Sequence, residues 1–250
     1  MHYKRPIVMS IAGLDPSGGA GILADIKTLE QLRCIGFGVA TAWTVQTEKS
    51  FLNIDWLPLE KIKEQARPLL AQYRVQVIKI GIIENLEILW SLVTWLKEIN
   101  KEVLIVWDTV LSASTGFSLT NATNKELLKS ILRRVFLITP NIREAQWLGS
   151  GKDAQQAAQY LSDYCNVLLK GGHTEIHVGV DTLWTGQQAI QFFPSAKTLS
   201  PKHGSGCILS SAIAAHLAQG MPLEQSCEKA KAYIETILGS NQNLLAYHHV

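Results

Sequence analysis

The sequence is poor in cysteine, in net charge and in long apolar runs. Its four cysteines have spacings that suit neither a disulfide framework nor a metal-ligand set, so we expect a soluble protein of a reducing compartment, the cytoplasm. These cysteines are Cys34, Cys165, Cys207 and Cys227. No stretch approaches the ~20 consecutive apolar residues that a membrane span needs. The apolar run at residues 7–13 follows basic residues but is too short for the core of a signal peptide.

The charge balance excludes a further class of partner. There are 23 basic and 21 acidic residues, for a net charge of +2, and no basic stripe is interleaved with aromatic residues. Nucleic acid is therefore not an expected partner. Hydrophobic residues make up 47% of the 250 positions, which is enough to bury one large core. We expect a single domain over residues 1–250.

Short apolar or β-branched runs alternate with helical patterns along most of the chain. Strands are predicted at residues 7–12, 38–45, 77–80, 103–107, 135–139 and 167–170. Helices are predicted at residues 19–34, 59–73, 84–99, 124–133, 141–148 and 153–164. Pro68 lies inside the second of these and should kink or split it. The alternation predicts an α/β protein with a mainly parallel sheet, helices on both faces, and ligands beyond the carboxyl ends of the strands.

The pattern changes in the last third of the chain. Residues 175–185 and 188–193 flank a turn at residues 185–187 and predict an antiparallel hairpin at a sheet edge. Two helices, at residues 205–219 and 222–239, then close the sequence.

The turn at residues 203–207 combines anion-binding geometry with a reactive side chain. Glycine at 204 and 206 lets the backbone turn tightly, so that consecutive N–H groups converge where a helix begins. The helix N-terminus carries about +0.5 elementary charge, which favours a phosphate in transit and lowers the pKa of a thiol. Cys207 is such a thiol. The alternative is that Cys207 only fills space, as buried cysteines often do.

An earlier loop, at residues 13–25, is also dense in glycine. Residues 19–24 formally match the weak dinucleotide fingerprint G-x-G-x-x-A. That fingerprint expects an acidic residue at the end of the second strand, where this sequence has Val-Gln-Thr at 45–47. A Walker A motif is absent, since no Gly-Lys-Ser/Thr follows the glycines. Alternatively, the loop lets a flat small molecule lie against the backbone, with Asp25 offering a carboxylate or remaining a solvated helix residue.

Four segments of the chain together resemble a known enzyme family: residues 12–28, 139–145, 169–173 and 204–207. Their sequences and spacing resemble the hydroxymethylpyrimidine/phosphomethylpyrimidine kinases of thiamin synthesis, in the ribokinase-like superfamily, nearly end to end. The resemblance implies a three-layer ribokinase-like sandwich and a homodimer. It also implies phosphorylation, by ATP with Mg²⁺, of 4-amino-5-hydroxymethyl-2-methylpyrimidine and then of its monophosphate.

The resemblance also implies roles for particular residues on the phosphate side. Cys207 would handle the proton of the substrate hydroxyl, or would only shape the anion hole. The hole itself would be formed by Gly204, Ser205, Gly206 and Cys207. Asp108 and Glu144 would lie near the metal, with Glu144 organising Mg²⁺ through water. The nucleotide would be held by Asn141, Lys170 and His203.

On the acceptor side, Gln46 would pair with the aminopyrimidine ring. An amide offers a donor and an acceptor side by side, which complements a ring nitrogen next to an exocyclic amine. The other substrate-pocket positions would be Gly13, Ala20, Asp25, Ile82 and Val110.

The chain departs from the family at residues 112–117. The family commonly has Lys-Ser-Gly-Asp there, and this sequence lacks both the lysine and the aspartate, which leaves the second phosphorylation open. Pyridoxal kinase is the alternative activity, since some pyridoxal kinases share the cysteine-type turn. A non-catalytic ligand-sensing relative and a dehydrogenase built on residues 19–24 are the other hypotheses.

Overall fold

The computed structural model describes residues 5–110, 124–171, 179–195 and 200–248. The strands are β1 (Ile7–Leu14), β2 (Ile35–Gln46), β3 (Phe51–Trp56), β4 (Val77–Ile80), β5 (Leu104–Trp107), β6 (Leu137–Ile138), β7 (Asn166–Leu169), β8 (Asp181–Thr185) and β9 (Gln188–Phe192). The helices are α1 (Gly21–Gln31), α2 (Leu59–Gln72), α3 (Leu86–Ile99), α4 (Lys125–Leu132), α5 (Ile142–Leu148), α6 (Ala154–Leu161), α7 (Ser205–Ala218) and α8 (Leu223–Leu238). Residues 112–117 and the beginning of the predicted 175–185 strand lie outside the described residues.

The strands form one sheet in the order β3-β2-β1-β4-β5-β6-β7-β8-β9. Six neighbouring strands of this sheet pair in parallel: β2, β1, β4, β5, β6 and β7. At one edge β7, β8 and β9 are antiparallel, so the predicted edge hairpin is confirmed over the described residues. At the other edge β3 pairs antiparallel with β2, a strand that sequence periodicity did not reveal.

The central strands are buried on both faces because helices cover the sheet on each side. One apolar cluster joins β1 residues such as Met9 and Ile11 to helices α2 to α6. A second cluster joins Val8, on the opposite face of β1, to α1, α7 and α8. Alternate side chains of a strand point to opposite faces, so a strand covered on both sides is apolar throughout. The predicted mainly parallel α/β sandwich is confirmed.

Pro68 was predicted to kink or split its helix, and the structure contradicts the split. Helix α2 runs without a break over Leu59–Gln72, with Pro68 inside it. Proline removes one N–H donor, which leaves the carbonyl of Glu64 without its helical partner. Both Glu64 and Pro68 lie on the exposed face of α2, where water can bond to that carbonyl.

The parallel strands bring their carboxyl ends to one edge of the sheet. Residues that directly follow β1, β4, β5 and β7 therefore lie near one another: Asp15, Gly81, Asp108 and Lys170. Within the described ranges, no helix combines the length and the apolarity that crossing a bilayer requires.

Candidate active site

A cleft of about 460 Å³ opens at this edge of the sheet. Every sequence-predicted site residue except Asp25 lines it. These residues are Gly13, Ala20, Gln46, Ile82, Asp108, Val110, Asn141, Glu144, Lys170, His203, Gly204, Ser205, Gly206 and Cys207. The early glycine-rich loop and the late turn thus converge on one cavity.

A hydrogen bond between His203 and Asp15 joins the loop to the turn. The Nε2 atom of His203 lies 2.9 Å from Oδ2 of Asp15. Asp15 also accepts hydrogen bonds from the backbone N–H groups of Ser17 (2.8 Å) and Ala20 (2.9 Å). Burial works to raise the pKa of Asp15, but the hydrogen bonds from His203, Ser17 and Ala20 hold it below the usual value. Asp15 is therefore an ionised acceptor, a role that sequence reasoning missed although it had singled out the loop.

The late turn lies so close to the early loop that position 204 requires glycine. Its φ is +75°, in the left-handed region that favours glycine. A Cβ atom there would meet the carbonyl oxygen of Gly19 and lie 2.7 Å from Cα of Ala20. The backbone of the late turn therefore packs directly on the early loop, and α7 begins at the next residue.

Opposite charges are packed around the beginning of α7. The Nζ atom of Lys170 lies 3.0 Å from Oδ1 of Asp108 and 4.0 Å from Oε2 of Glu144. Burial favours the neutral form of Lys170, but the carboxylates of Asp108 and Glu144 outweigh it and raise its pKa. Asp108 is also buried, yet Lys170 and Lys79 hold its pKa below the usual value. A charged ammonium thus lies close to Gly206, where a Cβ atom would be 3.3 Å from its Nζ.

Asn141 and Glu144 form a capping box at the start of α5. The side chain of Asn141 accepts from the N–H of Glu144 (2.9 Å), and Oε2 of Glu144 accepts from the N–H of Asn141 (2.8 Å). Thr109 donates to the same Oε2 at 3.2 Å. Burial raises the pKa of Glu144 despite the nearby Lys170. The Asn-x-x-Glu spacing therefore places this carboxylate in the cleft through the local geometry of the helix N-terminus.

Cys207 has a less acidic thiol than its position predicted. Cys207 is partly buried where it lines the cleft, and this burial raises the pKa of its thiol to about 11. Lys79 and the N–H of Gly21 act in the opposite direction. The prediction of a lowered thiol pKa is wrong for this structure, since desolvation of the thiolate outweighs the stabilisation at the helix N-terminus.

Asp25 lies beneath the cleft instead of in its wall. Its carboxylate pairs with Nζ of Lys79 at 2.8 and 3.0 Å, and both side chains are fully buried. Hydroxyl groups of Ser10 and Ser211 also donate to Asp25. The structure therefore gives Asp25 no direct access to a substrate. Lys79 is also fully buried but is among the residues that line the cleft, so it lies between Asp25 and the cavity. Ser211 connects Asp25 to α7.

Lys79 was missed by sequence reasoning, although one signal was present. It is the single charged residue in the four-residue β4, Val-Ile-Lys-Ile, which is buried throughout. Burial favours the neutral amine, but Asp25 and other anionic groups outweigh it and raise the pKa of Lys79. A buried charge of this kind is retained only with a partner.

The residues predicted to bind the acceptor include two at the ends of β2 and β4. Gln46 is the last residue of β2, and Ile82 follows β4. A Cβ atom on Gly13 would lie 2.9 Å from Cγ2 of Ile82, so the early loop has no room for a side chain there. Phe51 of β3 pairs with Gln46 next to a β-bulge and also lines the cleft. Phe51 was missed together with β3.

One cleft at the carboxyl ends of the parallel strands holds a glycine-rich turn at a helix N-terminus and a partly buried ammonium. This is the arrangement of a small-molecule phosphotransferase. Residues 15–249 match the family described as "Phosphomethylpyrimidine kinase", and this chain belongs to that family. The predicted family is thereby confirmed. Membership also sets aside the dehydrogenase hypothesis for residues 19–24.

Individual relatives agree with the family match. The hydroxymethylpyrimidine/phosphomethylpyrimidine kinase of Aquifex aeolicus is 34% identical over 247 residues, covering 95% of this chain and 96% of that protein. The thiamine biosynthesis bifunctional protein ThiED of Geobacter sulfurreducens is 35% identical over 251 residues, and the match covers 97% of this chain. The chain spans 51% of the length of that bifunctional relative.

Solved structures show the same ribokinase-like fold. Pyridoxal kinase from Staphylococcus aureus in complex with ADP has a TM-score of 0.86 at 25% identity, covering 99% of this chain and 94% of that one. Phosphomethylpyrimidine kinase from Clostridium difficile has a TM-score of 0.77 at 31% identity, covering 92% of this chain and 98% of that one.

Proposed function

We propose that this protein transfers the γ-phosphoryl group of ATP to the hydroxymethyl group of 4-amino-5-hydroxymethyl-2-methylpyrimidine. The observation that carries this proposal is that one cleft is lined both by Gln46 and by the turn from Gly204 to Cys207. An aminopyrimidine paired with the amide of Gln46 would then share a cavity with a phosphoryl group at the start of α7. The family relationship supports the same substrate class.

The residues of the turn would stabilise the charge that develops during transfer. The substrate hydroxyl oxygen forms a bond to the γ-phosphorus while the bond to the β,γ-bridging oxygen breaks, and ADP leaves. Backbone N–H groups at the beginning of α7 and the ammonium of Lys170 would face the phosphoryl oxygens. Cys207 would accept the hydroxyl proton as a thiolate. Since its pKa is raised in this structure, that role predicts a rate that increases with pH.

Mg²⁺ is part of the proposal, with Asp108 and Glu144 as the acidic residues beside it. The described part of the chain contains no group of three or more His, Cys, Asp or Glu side chains placed to hold a metal. This donor set suits Mg²⁺, which usually takes one or two carboxylates, with waters and substrate phosphates completing the shell. Bound Mg²⁺ would neutralise charge on the phosphates. Lys170 would hold Asp108 ionised beside it and would oppose the effect of burial on Glu144.

Phosphorylation of the monophosphate is the second step of the proposal. Residues 112–117, where the sequence departs from the family, lie outside the described residues. Supplying the synthetic monophosphate with MgATP tests this step separately from the first, and a diphosphate product is expected.

Pyridoxal is the second candidate substrate. The observation in its favour is the higher TM-score with the Staphylococcus aureus pyridoxal kinase than with the Clostridium difficile enzyme. To decide between the two candidate substrates, the aminopyrimidine and pyridoxal are each incubated with MgATP, and the products are identified by mass spectrometry. We expect the pyrimidine monophosphate to be the main product. Phosphorylation of pyridoxal alone would exclude the proposed substrate, and turnover of neither compound would favour the ligand-sensing hypothesis.

Gln46 provides a sharper test of the substrate. Replacing it by alanine should raise KM for the pyrimidine by about 10-fold or more, since a buried pair of hydrogen bonds is lost. Gln191→Ala, on the exposed side of β9, is the matched control and should leave KM unchanged. An unchanged KM in Gln46→Ala would separate Gln46 from substrate recognition.

We also propose a cytoplasmic homodimer. The β2–β3 ribbon carries three exposed large apolar side chains, Trp43, Val45 and Leu52, with exposed fractions of 55%, 49% and 73%. Exposed large apolar side chains on an edge ribbon of a sheet are typical of an interaction surface. Sedimentation should give the mass of a dimer for the wild type, and Trp43→Lys should shift it towards the monomer.

A further inference from the structure

The cleft extends past the start of α7 into a compartment that the transfer chemistry does not use. Its apolar lining residues are Pro194, Leu209, Ile234 and Leu238. Its polar lining residues are Asp181, Lys231 and Glu235. Apolar walls with a few placed polar groups are typical of a site for a flat ring. The compartment is continuous with the turn that would hold the phosphates, so it is where the base of a nucleotide would lie.

Two of the three polar residues are occupied by contacts within the protein. Lys231 donates to the carbonyl oxygen of Gly179 and lies 3.0 Å from Oδ2 of Asp181. Asp181 uses its other oxygen, Oδ1, to accept from the N–H of Gly171 at 2.8 Å. These contacts attach β8 and the residues before it to α8, which is a structural role.

Glu235 is different because one of its oxygens has no hydrogen-bond donor. The residue is 7% exposed, and its Oε2 accepts from the backbone N–H of Ser195 at 3.0 Å and from the Ser195 hydroxyl. Its Oε1 is buried and has no hydrogen-bond partner within the described ranges. The ammonium of Lys231, 3.6 Å from Oε1, balances the charge but is too distant to donate a hydrogen bond.

A buried carboxylate oxygen without a donor costs free energy that a bound donor would recover. We propose that Oε1 of Glu235 accepts a hydrogen bond from the exocyclic amino group of the nucleotide base and so selects adenine nucleotides over their 6-oxo counterparts. This rests on the proposed function, which places the nucleotide phosphates at the start of α7. A carboxylate can only accept, so a carbonyl oxygen at the same position of the base would leave two acceptors facing each other.

The substitution Glu235→Gln tests the hydrogen-bond polarity directly. The amide oxygen of glutamine can still accept from Ser195, and its NH₂ group then takes the place of Oε1, which turns an acceptor into a donor. We measure dissociation constants of ADP and IDP by calorimetry without the pyrimidine, and kcat/KM for ATP and ITP with it. The wild type should prefer the adenine nucleotide by about 10-fold or more, and Glu235→Gln should lose or reverse that preference.

Ser195→Ala is the matched control. It removes the hydroxyl contact to Oε2 and leaves Oε1 unchanged, so it should weaken ADP and IDP equally and keep their ratio. If the ratio of the ADP and IDP dissociation constants is the same in Glu235→Gln as in the wild type, the proposal is overturned. This includes the case in which both nucleotides bind more weakly by the same factor because the protein is less stable. Failure of the wild type to bind either nucleotide would overturn it as well. If ADP binds with the expected base preference but the pyrimidine is not phosphorylated, the proposed substrate fails and the role of Glu235 stands.

Discussion

His203 and Asp15, which are 188 residues apart in the sequence, lie 2.9 Å apart in the structure. Asp15 is an ionised acceptor, so the imidazole donates from Nε2. This contact holds the early glycine-rich loop against the turn that begins α7. If the proposed donor and acceptor sites are correct, this contact would hold them in the fixed arrangement that phosphoryl transfer needs.

Replacing Asp15 by asparagine should therefore affect stability and its pH dependence. The pKa of Asp15 is lower in the folded protein, so its stabilising effect is present above its usual value of 3.8 and is lost as the pH falls below that value. At pH 7, Asp15→Asn should lose about 1–3 kcal/mol of unfolding free energy. The difference from wild type should shrink at pH 3.

Urea unfolding at both pH values measures this effect. Asp55→Asn, on the exposed side of β3, is the control and should change stability by less than about 0.5 kcal/mol. A loss in Asp15→Asn that is the same at pH 3 and pH 7 would contradict an ionised Asp15.

The substitution Gly204→Ala should abolish most activity. An alanine there is strained by the positive φ, and its Cβ would collide with the backbone of the early loop at Gly19 and Ala20. We expect kcat/KM to fall by about 100-fold or more, since small displacements at a reacting centre cost that much.

Gly186→Ala separates backbone strain from the collision. Gly186 also has a positive φ, +58°, but a Cβ atom there meets nothing within 4 Å. It should lose about 1–2 kcal/mol of stability and keep its activity. Equal loss of activity in both variants would show that the close approach at Gly204 is unimportant.

The role of Cys207 is tested by the dependence of rate on pH. If its thiolate accepts the hydroxyl proton, kcat should rise by about 10-fold per pH unit while the pH stays below the pKa of about 11. Cys207→Ala should lower kcat by a factor of about 100 or more and largely retain substrate binding.

Cys165→Ala is the control, because Cys165 lies outside the cleft lining. Its kcat and pH profile should match the wild type. A wild-type kcat that is flat between pH 7 and pH 9.5 would leave Cys207 with the role of shaping the anion hole.

The buried pair between Lys79 and Asp25 should be the most costly ion pair to break. Lys79→Met leaves the carboxylate of Asp25 buried beside an apolar side chain, so we expect a loss of about 3–5 kcal/mol. The double variant Lys79→Met with Asp25→Asn should recover part of it. Denaturant unfolding gives the unfolding free energies of the wild type, the single variant and the double variant.

The exposed pair between Lys61 and Glu64 is the comparison. Lys61→Met should cost far less stability than Lys79→Met because the pair is solvated. Similar losses in Lys79→Met and Lys61→Met would contradict a structural role for the buried pair.

The sequence by itself was sufficient for features that depend on local patterns. Alternating apolar runs and helical periodicity predicted the parallel sheet, because a strand covered on both faces must be apolar throughout. The Asn-x-x-Glu spacing at residues 141–144 placed Glu144 through a local capping box. The glycine at 204 marked a tight turn before a helix, and its order with the other motifs indicated the family.

Only the tertiary structure decided the features that depend on distant residues. Strand β3 is set by its pairing with β2, and Pro68 is tolerated because it faces solvent. Asp25 is removed from the cleft wall by Lys79, 54 residues away. The thiol of Cys207 is less acidic than its position suggests because many surrounding groups desolvate it. Burial and long-range pairing are properties of the packed chain, so no local pattern contains them.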